Sequence, residues 1–133
     1  MSSPSLFEDF APGQSRWLEF EGFAFEVRYA SPIEQQRFRN TLQSKGITRK
    51  DEVLPAAGRE AAYFEAMAEK YVIGWRGLLP HPRGGDSYDL DSLPYSAKDM
   101  AKLLSYRGDV FERLVQTIGD ADSFFGRNGH AQI

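Results

Sequence analysis

Cysteine is absent from this chain, which excludes a disulfide, a thiolate nucleophile and any Cys-containing zinc or iron–sulfur site, and fits a reducing compartment. Histidine is scarce. His81 and His130 are the two present, and neither has a second His or a Glu at a helical ligand spacing, so the three or four ligands of a metal centre are not in view. No apolar run reaches the roughly 18 residues of a membrane span, and the opening MSSPSLFEDFAPGQS lacks a basic segment followed by an apolar one. Membrane insertion and secretion are therefore both disfavoured. Positive charge is also short: the formal net charge of −3 argues against a nucleic-acid backbone as the main partner, because that affinity comes from a surplus of Lys and Arg. One basic cluster exists, Arg37, Arg39, Lys45, Arg49 and Lys50, but Glu34, Asp51 and Glu52 flank it, and it reads as a solvated helix face and loop.

What remains is an ordinary globular composition. With 41% hydrophobic and 26% charged residues over 133 positions, residues 1–133 have the material for one folded domain with a single core. Residues 1–15 carry Leu6, Phe7 and Phe10 without a sustained period and read as a loosely docked arm. From Trp17 the pattern alternates: Leu18 and Phe20, then Phe23, Phe25, Val27 and Tyr29, with polar or small residues between them. This is the period of half-buried strands, and Gly22 between the runs predicts a β-hairpin over 17–30 with a tight turn near Glu21 and Gly22.

Ser31-Pro32-Ile33-Glu34 is a helix start, with a capping hydroxyl, a proline at the first helical position and a Glu three residues beyond the cap. A helix is expected from about Pro32 to Ser44, with Phe38 and Leu42 facing the core and Gly46 at its end. Residues 47–58 read as a loop. Phe64, Met67, Ala68, Tyr71, Val72 and Trp75 then fall at spacings of three and four, predicting a helix from about Arg59 to Trp75 that Gly77 and Pro80 break. Ser96 can cap a third helix of about ten residues through Met100, Leu103 and Leu104. Asp109, with Glu112 at the box position, can cap a fourth, which buries Val110, Phe111, Leu114, Val115, Ile118 and Ala121 and has Gly119 near its middle. The polar tail, 126–133, reads as frayed. The fold class these patterns predict is α+β, mostly α-helical, with an N-terminal hairpin and about four helices.

Little of this carries chemistry. His81 sits between two prolines and reads as a loop residue. Asp86, Asp89 and Asp91 do not match the alternating positions and following Gly of an EF-hand loop, and Gly84-Gly85 has neither a preceding strand nor a following Lys-Ser or Lys-Thr to cradle a phosphate. An enzyme built on His81 with Asp86 or Asp89 is conceivable on paper, but no nucleophile motif supports it. The apolar residues Phe64, Met67, Tyr71, Trp75, Phe111 and Leu114 are read as core. Phe124 and Phe125 are adjacent, cannot both point inward, and are the candidates for gripping a partner.

The order of elements, with "LQSKG" closing a capped helix, then "YVIGWRGL", an acidic loop and "LPYSAKDMAKLLSYRGDVFERLVQTIGDADSFF", resembles the tail assembly chaperones of long-tailed bacteriophages and related prophages. The residues matching that family's pattern are Trp75 and Gly77 of a "W.G" element closing a helix, Asp86 of the following loop, and Pro94, Tyr95 and Ser96 of a "PYS" cap, with Leu103, Leu104, Val110 and Ile118 behind. The resemblance covers about residues 17–125. Its departures are a longer HPRGGDSYDLDSL loop and the lack of a Lys-rich C-terminus. It implies a non-enzymatic protein of the host bacterial cytoplasm, without cofactors, that binds the tape measure protein or tail tube subunits before the tube polymerises. It leaves self-association open. A structural tail or neck protein retained in the virion is the alternative.

Overall fold

The computed structural model describes residues 14–52 and 54–120. The hairpin is β1 (Ser15–Glu19) and β2 (Phe23–Arg28), paired antiparallel from Ser15 opposite Arg28 to Glu19 opposite Ala24. Gly22 makes the turn at φ +90°, a region where a side chain is disfavoured, and Phe20 N–H closes it on Phe23 O at 2.8 Å. Helix α1 (Pro32–Ser44) begins with the capping box in place: Ser31 Oγ accepts from Glu34 N–H, and Glu34 Oε1 accepts from Ser31 N–H, both at 3.2 Å. Gly46 follows its end at φ +71°.

Helix α2 (Glu60–Tyr71) stops four residues earlier than the apolar spacing predicts, and Val72 starts a strand with no loop between. The Val72 N–H still bonds Ala68 O as the last helical link, while its own φ of −113° and ψ of 132° are extended. Strand β3 (Val72–Leu79) lies antiparallel along β2 and is followed by the two-residue β4 (Tyr88–Asp89). Among the described residues the sheet therefore has four strands, in the order β1-β2-β3-β4, beside four α-helices. This overturns the expectation of a mostly helical domain with only a hairpin, and with it the placement of the "W.G" element at a helix end. The physical reason is twofold: β-branched Val72 and Ile73 with Gly74 and Gly77 make a poor helix, and the distant β2 offers them a ladder. Trp75 stands opposite Phe25, which stands opposite Leu18, so one row crosses the sheet on its core side. A register shift at Glu26/Val27 leaves Ile73 as the extra, half-exposed residue.

Helix α3 (Ala97–Tyr106) starts where Ser96 Oγ accepts from Asp99 N–H at 3.3 Å. Helix α4 (Gly108–Ile118) has no side-chain cap. Asp109 sits in its first turn and takes a two-pronged bond from the Arg107 guanidinium, at 2.9 and 2.8 Å, instead of capping, and Gly119 follows the last turn rather than interrupting the helix. Helix α2 packs on α3, and both α2 and α4 reach β2. Two bonds hold α4 to the hairpin: Ala30 N–H to Ile118 O, and Arg113 Nη1 to Glu19 O, each at 2.8 Å, with the Arg113 guanidinium over the Phe20 ring.

Met67, Tyr71 and Leu114 are buried in the core, and Phe64, Trp75 and Phe111 are partly buried against it. Val115 of α4 is exposed rather than inward. The expectations placed on Leu6, Phe7, Phe10, Ala121, Phe124, Phe125 and His130 lie outside the described residues. Among the described residues no helix is long and apolar enough to cross a membrane.

Candidate partner-binding groove

Trp75, Gly77 and the segment 94–96, among the matching residues of the resemblance, lie at the junction between β3 and the start of α3. Trp75 donates its indole N–H to Leu93 O at 2.9 Å and stands edge-on to Tyr95, ring centres 5.0 Å apart. The Tyr95 hydroxyl donates to Ala68 O at 3.1 Å, so the ring bridges from the α3 cap to the end of α2. Burial, with Glu69 nearby, pushes the Tyr95 phenol well above its ordinary range, keeping it a neutral donor. Gly77 has φ +93°, and a Cβ there would stand 2.3 Å from Gly22 O, so the strand can cross the hairpin turn at this point only as glycine. Its N–H is taken by Asp91 Oδ1 at 3.3 Å. The tryptophan, the glycine and the Pro-Tyr-Ser segment are thus parts of one lock between sheet and helix.

Beside this lock runs a groove of about 340 Å³. Buried Leu79, Leu90 and Leu103 form its floor, and Trp75 stands in its wall. Its rim carries Tyr88, Leu93 and Tyr106, which leave 40%, 46% and 45% of their surface to water, together with Pro82. Three large apolar side chains this exposed around one concavity are a surface the domain does not itself cover, which is how partner sites commonly look. Asp99 and Lys102, successive turns of α3, add one charge of each sign to the edge. The hydroxyl of Tyr106 is raised by partial burial, so the ring remains neutral and able to donate.

The loop that leads to the groove engages its polar residues in local order. His81 accepts from Arg83 N–H at Nδ1, 3.1 Å away, and its ring lies 5.2 Å from that of Tyr88. Asp89 accepts from Asp91 N–H and Ser92 Oγ–H, fixing the short 3-10 turn Leu90–Ser92 that sets Leu90 into the floor. Asp86 is exposed. Among the described residues no three His, Asp or Glu side chains gather closely enough to hold a metal ion.

Of the residues marked in the sequence, Trp75 and Leu103 reach this groove. Tyr88, Leu90, Leu93 and Tyr106 were missed. Their signal was present: Tyr88, Leu90 and Leu93 recur as apolar residues inside a stretch that its aspartates make look solvated, and Tyr106 lies three residues beyond Leu103 on the same helical stripe. No protein-family model, curated protein or solved structure matches this chain.

Proposed function

We propose that this domain is a protein-binding module acting as a tail assembly chaperone of a long-tailed bacteriophage, in the host cytoplasm, and that its groove holds an apolar helical segment of the tape measure protein until the tail tube encloses it. The observation that carries the reading is the uncovered apolar rim of Tyr88, Leu93 and Tyr106 above a leucine floor. A tape measure protein presents long apolar helical stripes before assembly, and a concavity of this size takes two or three side chains from one face of such a helix, at i, i+3 and i+4. Of the residues that carry the family resemblance, Trp75 stands in the groove wall, and its contacts with Leu93 O and Tyr95 sit beside that rim. The role needs binding and release rather than bond making, and the groove supplies apolar contact area.

Co-expression tests it. With the wild-type domain, the cognate tape measure protein is expected in the soluble fraction as a complex. Leu93→Ser with Tyr106→Ser should weaken that complex at least about tenfold, since each removed anchor at a well-packed contact is worth about 2 kcal/mol. Equal capture by the doubly substituted domain would reject the groove as the site. Capture of tail tube subunits alone would move the assignment to the second partner of the same family.

A further inference from the structure

The side of the groove that α3 forms has an order of its own. Its residues, Asp99, Lys102, Leu103 and Tyr106, fall at i, i+3, i+4 and i+7, one continuous stripe along the helix. At about 1.5 Å of rise per residue the stripe runs roughly 10 Å, and side chains at this spacing form the ridge on which a second helix packs. Asp99 stands at its N-terminal end, Lys102 follows one turn on, and Tyr106 closes it, so the stripe passes from acid to base to an apolar ring. Both charged residues are exposed, and Asp99 engages Ser96 Oγ through its backbone N–H alone. Among the described residues neither the Asp99 carboxylate nor the Lys102 ammonium takes an ion pair or a hydrogen bond, although their spacing would let them meet each other. Two charges of opposite sign, in fixed order beside an apolar floor, are therefore free for a partner, and such charges act on specificity and orientation more than on affinity.

Complementarity asks of that partner a base beside Asp99 and an acid beside Lys102. A helix laid parallel to α3 would present them as base then acid along its own sequence, and an antiparallel one as acid then base. Within one helix an acid placed four residues before a base is the more stable order. Antiparallel neighbours also bring the positive end of one helix dipole to the negative end of the other. Both effects choose the antiparallel arrangement. Resting on the reading of the groove as the partner site, we infer that it takes a helix running antiparallel to α3. The apolar face of that helix enters over Leu79, Leu90 and Leu103, and its flank carries Glu or Asp beside Lys102 and, three or four residues later, Lys or Arg beside Asp99. The leucine floor supplies the affinity, and the charge pair selects which helix binds and in which direction.

The test is an NMR titration of the full-length, isotope-labelled chain with two short synthetic helices. One carries leucines at i, i+3 and i+4, with Glu and, four residues later, Lys along one flank; its twin has that Glu and Lys exchanged. The Trp75 indole signal should move with both, while that of Trp17, outside the groove, stays in place. The first peptide should bind about fivefold more tightly than the twin, as expected for two exposed ion pairs gained against two like-charge contacts. Asp99→Lys with Lys102→Asp should reverse that preference, which separates pairing at α3 from the lower helicity of the twin itself. Lys102→Glu alone should abolish it, and keeps the test usable if the double variant fails to fold. Equal binding of the two peptides, a preference for the twin, or a preference that the double variant leaves unchanged would overturn the inference while the groove remained the partner site. No movement of the Trp75 signal with either peptide would overturn it together with the reading of the groove.

Discussion

Gly77 and Trp75 show how much a single position can decide. At Gly77 a left-handed φ coincides with a backbone so near that an added Cβ would stand 2.3 Å from Gly22 O. Gly77→Ala should therefore cost at least the ~1–3 kcal/mol of a strained backbone conformation, and more where the Cβ forces the hairpin turn away. Gly84→Ala is the matched control: its φ of +80° is similar, but nothing stands within 4 Å of a Cβ there, so its thermal melt should fall less. Equal melts would mean that the crossing of β3 over the turn is looser than described. For Trp75→Ala a loss of about 3 kcal/mol is expected, the low end for a buried tryptophan, because the ring is only partly buried. Trp75→Phe should recover most of it while losing the bond to Leu93 O. The importance of these two residues was legible in the sequence, as a short motif. Their partners, Leu93 O and the Asp91 carboxylate, were not, since nothing local links positions 14 to 18 residues apart.

At the scale of elements, signals that depend on a few neighbouring residues were read correctly. Ser31 with Glu34 opens α1 at Pro32, Gly22 turns the hairpin, and Ser96 opens α3. The α2–β3 boundary was misread because Tyr71, Val72 and Trp75 continue a helical spacing by coincidence, while Trp75, Gly77 and Leu79 alternate equally well. Two glycines and a β-branched pair favoured the strand, but the deciding stabilisation comes from β2, some fifty residues earlier, which a local window does not contain. Asp109 was misassigned because the helix begins one residue earlier, at Gly108, which puts Asp109 inside the first turn with its carboxylate on Arg107. The groove variants belong at this scale. Leu93→Ser and Tyr106→Ser, each on a side chain about half exposed, should change stability by no more than about 1 kcal/mol while impairing partner binding. A large loss in thermal stability would make the rim part of the core.

For the whole molecule, titration offers a check on burial. Tyr71 has a folded pKa of about 12 against an ordinary 10.0, and Tyr95 is raised as well, both chiefly by burial. A phenol held protonated in the fold but free to ionise when unfolded contributes its stability in full below pH 10 and loses it as the pH rises from there toward 12. Asp109 behaves in the opposite sense: the Arg107 hydrogen bond lowers it to about 2 from 3.8, so its contribution is present above that value and lost as the pH falls toward 2. Denaturation melts between pH 8 and 12 should therefore fall most steeply above pH 10, and Tyr71→Phe should flatten that limb. A limb of unchanged slope would place the Tyr71 hydroxyl in water.

The proposed function requires that the rim of Tyr88, Leu93 and Tyr106 hold a partner polypeptide during tail assembly. The most direct measurement is a pull-down of the tagged chain from phage-producing cells, wild type beside the Leu93→Ser, Tyr106→Ser double variant, with mass spectrometry of the eluates and of purified virions. Expected are recovery of the tape measure protein by the wild type, its loss with the double variant, and no trace of the chain in virions. Stoichiometric presence in virions would instead make this a structural subunit, and undiminished capture by the variant would contradict the groove as the place of binding.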